Sequence, residues 1–369
     1  MKDFIFRNDT KLLFRNDICE TVSEIAKGHK VMFVYGGGSV KRNGCHSDIV
    51  ETLTAKNIPF VEYGNSSREF ERIQEGIRIA KREGVTMVIG AGGASVMDSA
   101  KLIAFGYRHE SDLWDYLKGK SPYGLEHLPL ALIPTYPSSG SENGLGAVSV
   151  DSRNGDFGTA YGIAADYAIL CPKYSLSLGK EMTAYTGLVT LVQLSASILG
   201  DKNKMSYDAG ISYIRNVLEA TKILQEQPEN LDARGIIMMG ASLSTSSRLG
   251  IGKENTFAYD IYELEFLPEK LFGSSYRRSL TSMFPRFLSV MSRHYADEIQ
   301  KFFSDAFGFT SSIEESVNKL IELFSALGVP MHYEGEVSRE QIKNIPHQTE
   351  LNEAEVFEII NLLVKHDNN

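Results

Sequence analysis

Along the first half of the chain, apolar positions fall into short solid runs that end in glycine, separated by stretches with helical spacing. Val31 to Tyr35 is an unbroken apolar and aromatic run, the pattern of a strand buried on both faces, and it ends in Gly36-Gly37-Gly38-Ser39. Before it, Phe4, Phe6, Leu12, Leu13, Phe14, Ile18, Val22 and Ile25 lie among charges and predict an early strand or arm, then a short helix. After it the spacing predicts a helix over 48–56, a strand over 59–63 and a helix over 68–83, the last carrying Phe70, Ile73, Ile77 and Ala80. Residues 87–101, Met-Val-Ile-Gly-Ala-Gly-Gly-Ala-Ser-Val-Met-Asp-Ser-Ala-Lys, read as strand, tight turn and helix. Leu128 to Ile133 is a third apolar strand, entering Pro134-Thr-Tyr-Pro-Ser-Ser-Gly-Ser-Glu-Asn143, where two prolines preclude a helix.

From about Leu178 the texture becomes helical, over 187–199, 213–225, 232–249, 311–327 and 353–365. The first of these is apolar nearly all round and should lie at the centre of its domain. Two domains are therefore expected, 1–177 and 178–369, with a frayed Asp-Asn-Asn end.

The glycine junctions carry the candidate chemistry. Glycine lets the chain turn sharply and approach a ligand, and the unpaired N–H groups of the next helix, with its dipole, favour an anion. Asp98 and Lys101, one turn apart, add charge beside the 90–95 junction. At the first junction Ser39 is a natural N-cap, Lys41 and Arg42 supply cations, and no acid occurs before Asp48. The acid that binds a ribose 2′-OH is missing where a phosphate could sit. Neither cluster fits GxGxxG, since position 41 is Lys and position 95 is Ser, so an ordinary Rossmann dehydrogenase domain is disfavoured.

Composition narrows the partners. A net charge of −9 works against non-specific nucleic-acid binding. No run approaches the roughly 18 apolar residues of a membrane span, and the Met-Lys-Asp-Phe start lacks a signal peptide's apolar stretch. Cys19, Cys45 and Cys171 form no CxxC pair, which suits a reducing cytoplasm.

Three motifs stand in order: Tyr-Gly-Gly-Gly-Ser at 35–39, Gly-Gly-Ala-Ser-Val-Met-Asp-Ser-Ala-Lys at 92–101 and Pro-Thr-Tyr-Pro-Ser-Ser-Gly-Ser-Glu at 134–142. Together they resemble the iron-containing (group III) alcohol dehydrogenase family, especially its butanol dehydrogenase-like branch. The resemblance covers most of 28–185. It implies an α/β N-terminal dinucleotide-binding domain with a parallel, dehydroquinate synthase-like sheet, and an all-α C-terminal domain. It implies that Gly37, Gly38 and Ser39 approach the adenosine end of the nucleotide, and that Gly92, Gly93, Ala94 and Ser95 cover the pyrophosphate. Asp98 is implied to lie toward the nicotinamide carboxamide, with Thr135, Ser138 and Ser139 on the ribose side. The missing acid favours NADP(H) over NAD(H). The expected partners are a dinucleotide and a small alcohol or aldehyde, with room for a homodimer, no nucleic acid and no membrane.

This sequence departs from the family pattern in several places. Ala94 replaces a third glycine, Ala160 stands where the family has a lysine, and Cys171 replaces an Asp. The family's divalent metal, held by one Asp and three His, is the larger departure. Its first two ligand positions fall on Thr190 and Leu194, or on Val189 and Gln193 one residue earlier; the others fall near Asp260 and on Phe272. Histidines occur only at 29, 46, 109, 127, 294, 332, 347 and 366, none between 128 and 293. Asp260 with Glu263 or Glu265 is the one loose carboxylate cluster, and His294 and His332 are lone. No iron or zinc is expected. Turnover then needs another electrophile, for which Tyr185, Tyr259 and Lys253 are nearest in the chain, or the fold serves as a catalytically degenerate sensor or partner subunit.

Overall fold

The computed structural model describes residues 2–365, so the Asp-Asn-Asn end and His366 lie outside the described residues. The chain forms two compact units. One is Arg7–Leu178 with Ala241–Ser246; the other is Gly179–Gly240 and Ser247 onward, together with the residues before Arg7.

The first unit contains strands β1 (Lys11–Phe14), β2 (Val31–Tyr35), β3 (Phe60–Tyr63), β4 (Met87–Gly92), β5 (Leu130–Pro134), β6 (Gly146–Val150), β7 (Phe157–Tyr161) and β8 (Tyr167–Leu170). Its helices are α1 (Cys19–Ile25), α2 (Ser39–Arg42), α3 (Cys45–Ala55), α4 (Phe70–Glu83), α5 (Ala94–His109) and α6 (Leu113–Leu117). Six strands make one parallel sheet in the order β1-β8-β5-β4-β2-β3, and β6 and β7 form an antiparallel hairpin. From β2 the chain goes to β3 on one side and returns to β4 on the other. The sheet's switch point therefore lies between β2 and β4, where open α/β sheets place ligands. β2, β4 and β5 are buried along their whole length, as their solid apolar runs require. Two apolar layers cover the sheet, one around Ile73, Ile77, Ile103 and Phe105, the other around Ile18, Ile49 and Tyr174.

The second unit holds α7 (Lys180–Ile198), α8 (Lys204–Glu226), α9 (Leu231–Ser244), whose last residues fall in the first unit, α10 (Phe257–Leu264), α11 (Phe266–Phe272), α12 (Tyr276–Phe307), α13 (Ile313–Ala326), α14 (Arg339–Lys343) and α15 (Glu353–Asn361). α7 runs through the middle of its apolar core, with Leu188, Val189, Leu191, Val192 and Leu194 all fully buried. Gly187 allows α8 to close against it, since a Cβ there would stand 1.9 Å from Thr221 Oγ1. α12 was not foreshadowed by periodicity, because Pro285 and six serines and threonines interrupt its apolar stripe. Among the described residues no helix is long and apolar enough to cross a membrane.

Candidate functional site

Register brings the three motifs to one edge of the sheet. Tyr35 lies opposite Ala91, and Gly92 lies opposite Pro134, so Gly36–Ser39, Gly92–Ser95 and Thr135–Ser139 leave adjacent strands side by side. Thr135 N–H donates to the Gly92 carbonyl at 2.9 Å, which ties the second junction to the third. At position 92 only glycine fits: a Cβ would stand 2.8 Å from Val96 Cβ, so its absence lets α5 begin directly over the strand end. Gly93 is the N-cap of α5, with no side-chain cap and no acid in the first turn. That leaves a 16-residue helix with its positive end uncovered at the strand edge. Ala94 and Ser95 open the helix and are half-buried, and Gly37, Gly38 and Ser39 are exposed.

One local expectation is corrected. Ser39 does not cap α2; Gly38 occupies the N-cap position, because the short helix starts one residue earlier than the hydroxyl suggested. Lys41 lies over the Tyr35 ring at 5.5 Å, and Arg42 Nη1 would be 2.9 Å from a Cβ on Gly38. Both cations therefore flank the first junction. An acid lies near them that the loop does not contain. Glu62, from neighbouring β3, accepts from Tyr35 Oη at 2.8 Å and bonds His46 Nε2 at 2.7 Å. Burial opposes its ionisation, but these two hydrogen bonds hold the carboxyl below its usual range.

Behind the edge lies a buried ionic network. Asp98 Oδ1 accepts from Ser141 Oγ at 2.6 Å and Oδ2 from the Val148 N–H at 3.3 Å. Lys101, fully buried, donates from Nζ to the carbonyls of Gly144 at 2.7 Å and Gly146 at 2.9 Å. Burial lowers the Lys101 ammonium and raises the Asp98 and Glu142 carboxyls, while each is drawn back by the opposite charge. Asp98 and Lys101 thereby brace the 141–148 segment. Thr135 and Ser138 are buried; Ser139 Oγ accepts from the Ser141 N–H at 3.2 Å. Gly140 turns the loop at φ +63°, and a Cβ there would meet the Ala241 carbonyl oxygen at 2.1 Å.

Known proteins resemble this chain in sequence and fold. Residues 9–176 match the model of iron-containing alcohol dehydrogenases. NADH-dependent butanol dehydrogenase A of Clostridium acetobutylicum is 26% identical over 347 residues, covering 89% of this chain and 88% of the relative. The chain resembles the iron-containing alcohol dehydrogenase family. In Escherichia coli, the NADPH-dependent aldehyde reductase YqhD is 25% identical, covering 90% of this chain and 88% of that protein. The crystal structure of NADH-dependent butanol dehydrogenase A from Thermotoga maritima shares the fold, with a TM-score of 0.88 at 24% identity and 99% of both chains covered. The similarity is to oxidoreductases, the butanol dehydrogenases among them.

In the helical unit the four positions Thr190, Leu194, Asp260 and Phe272 each have partners of their own. Thr190 Oγ1 bonds back to the Thr186 carbonyl at 2.8 Å, and Leu194 is in the apolar core. Asp260 accepts from Thr349 Oγ1 at 2.6 Å and the Glu350 N–H at 2.9 Å, while Phe272 stacks on Tyr333 at 4.6 Å. The alternative register is the one with polar company: Gln193 Nε2 donates to Tyr276 Oη at 3.0 Å, with Glu265 and Tyr262 close to the same phenol. Tyr276 is pushed well above the ordinary phenol range by burial first, then by Glu265. Among the described residues no group of three or more His, Cys, Asp or Glu side chains is placed to hold a metal ion. An amide and two phenols with one carboxylate do not make the Asp and His donor set of the family's metal.

Of the residues singled out as electrophiles, Lys253 and Tyr185 have structural partners. Lys253 Nζ bonds the carbonyls of Ser197 and Ile198 and so closes the C-terminal end of α7. Tyr259 is exposed. Tyr185 is buried beneath Arg277, whose guanidinium carbon lies 5.6 Å from the ring centre. His294 pairs with Glu355 at 2.6 Å.

Proposed function

We propose that this oxidoreductase binds NADP(H), in preference to NAD(H), across the carboxyl ends of β2, β4 and β5, and acts on a small alcohol or aldehyde. The observation that carries the cofactor reading is the register that sets three glycine- and serine-rich junctions side by side at the switch point. In this reading Gly37, Gly38 and Ser39 approach the adenosine ribose, and Gly92, Gly93, Ala94 and Ser95 receive the pyrophosphate at the bare end of α5. Thr135, Ser138 and Ser139 flank the second ribose and Asp98 lies toward the carboxamide. Two relatives are named for NADH and NADPH respectively, so the dinucleotide class is shared and the phosphate preference is this chain's own. Lys41 and Arg42 beside Gly38 support a 2′-phosphate, since Glu62 is already occupied by Tyr35 and His46.

The reading includes no resident iron or zinc. The Gln193–Tyr276 pair also favours a second reading, a dinucleotide-binding protein of the cytoplasm that turns over no alcohol. Calorimetric titration with NADPH and NADH tests the first part. NADPH should bind at least about tenfold tighter, ~1.4 kcal/mol, and Arg42→Ala should shrink that margin. No heat with either nucleotide would sink the cofactor reading. Butanal reduction by NADPH separates the two readings, and turnover that appears only with added divalent metal contradicts the metal-free one.

A further inference from the structure

Tyr35 is the last residue of β2, and the first glycine junction departs from it. Its backbone is tied down there: the Ser66 N–H donates to the Tyr35 carbonyl at 3.0 Å and the Asn65 N–H to the Gly36 carbonyl at 3.1 Å. The side chain crosses to the end of β3. Gly64 makes the crossing possible, since a Cβ there would stand 2.9 Å from Cε2 and Cζ of the ring. At the end of the crossing the phenol donates to Glu62 Oε2 at 2.8 Å. His46, from α3, bonds the same oxygen through Nε2 at 2.7 Å and sets its ring edge-on to Tyr35, with centroids 5.0 Å apart. Two elements thus hold one carboxylate.

That carboxylate has a second claimant. Burial opposes ionisation of Glu62, but Tyr35, then His46, then Lys41 hold its carboxyl below the usual range, so the Lys41 charge is felt there. Lys41 is exposed on α2, with its ammonium 5.5 Å from the Tyr35 ring centre. Among the described residues it forms no ion pair, although Glu62 is close. An acid free to move here would pair with Lys41 and offer its oxygens to a ribose 2′-OH, the role an acid plays in NAD-binding folds. We propose that Tyr35 and His46 are specificity-determining residues: they hold Glu62 away from Lys41, so that the first junction receives a ribose 2′-phosphate in preference to a free 2′-OH. The inference rests on the dinucleotide reading given above and deepens it. The lack of an acid in the glycine loop is then half of the selection, and the fixing of the neighbouring strand's acid is the other half.

Fluorescence titration of the full chain with NADPH and with NADH tests it through the ratio of the two affinities. Tyr35→Phe and His46→Phe each keep an aromatic ring in place and remove one donor to Glu62. Either alone leaves the other donor and should lower the NADPH-to-NADH affinity ratio about twofold; the double variant should lower it at least about fivefold. Adding Glu62→Gln to the double variant should restore the ratio to within about twofold of wild type, because the amide carries no charge to set against Lys41. If the double variant fails to fold, Tyr35→Phe with and without Glu62→Gln carries the test. An unchanged ratio overturns the proposal. So does a fall that Glu62→Gln does not reverse, which would make Tyr35 and His46 supports of the junction only, and so does a wild-type chain that binds NADPH no tighter than NADH. A wild-type chain that binds neither nucleotide is a different result: it removes the dinucleotide reading, and this proposal with it.

Discussion

The two units bury polar groups in opposite ways. In the sheet-bearing unit, Asp98 and Lys101 are charged groups taken out of water and matched by direct partners, from Ser141 and Val148 to the carbonyls of Gly144 and Gly146. In the helical unit, at the alternative register for the family's metal, the pair that meets is a neutral amide and a phenol, Gln193 and Tyr276. The first arrangement spends ionic groups to fix a loop at the ligand edge. The second fills a position with polar groups that need no ion. In the reading proposed above, a ligand seat persists in one unit while the other has exchanged its donor set.

The sharpest way to break that contrast is to remove one member from each side. Lys101→Met leaves Asp98 buried without its cation and two carbonyls unpaired, and should cost about 3–5 kcal/mol in urea unfolding. Tyr276→Phe deletes one neutral hydrogen bond and should cost only about 0.5–1.5 kcal/mol. Equal losses would show that the two clusters do not differ as described.

Glycines separate ligand seat from scaffold in the same unit. Gly140→Ala forces an alanine to φ +63° against the Ala241 carbonyl and should cost at least about 1–3 kcal/mol. At Gly37 a Cβ meets nothing within 4 Å, so Gly37→Ala should leave the melting temperature unchanged. It should still weaken NADPH by about tenfold, ~1.4 kcal/mol, since the side chain projects where the nucleotide is to approach. Fluorescence titration beside a thermal melt reads both effects.

A smaller effect follows from Glu142. Burial pushes its carboxyl from 4.5 up to about 7, so the folded chain holds that proton more tightly than the unfolded one. Its contribution is fully present below 4.5 and is lost as pH rises through about 7. Glu142→Gln should remove that part of the slope in melting temperature between pH 5 and 8.

How far the sequence reveals this molecule depends on whether a feature is local. β2, β4 and β5 announce themselves because strands buried on both faces are solid apolar runs, and α7 because a central helix is apolar all round. The three junctions are equally legible, each being a strand end followed by its own turn. What escapes is what neighbours supply. Glu62 reaches Tyr35 only because β3 pairs with β2, and Lys253 reaches the end of α7 from more than 50 residues away. In the hairpin β6–β7 the buried positions are small, Ala147, Ser149, Gly158 and Ala160, while the larger Val148, Val150, Phe157 and Tyr161 are less buried, so hydrophobicity does not mark it, and Pro285 interrupts the pattern of α12. Gln193 and Tyr276 lie 83 residues apart, so neither signals the other.

The central claim is that the strand-end edge holds a nicotinamide dinucleotide in a chain whose helical unit offers no metal donor set. Its most direct test is a fluorescence titration with NADPH of the full chain after exhaustive chelation. The account predicts saturable binding that added iron or zinc leaves unchanged. Absence of saturation, or binding that returns only with a divalent metal, would contradict it.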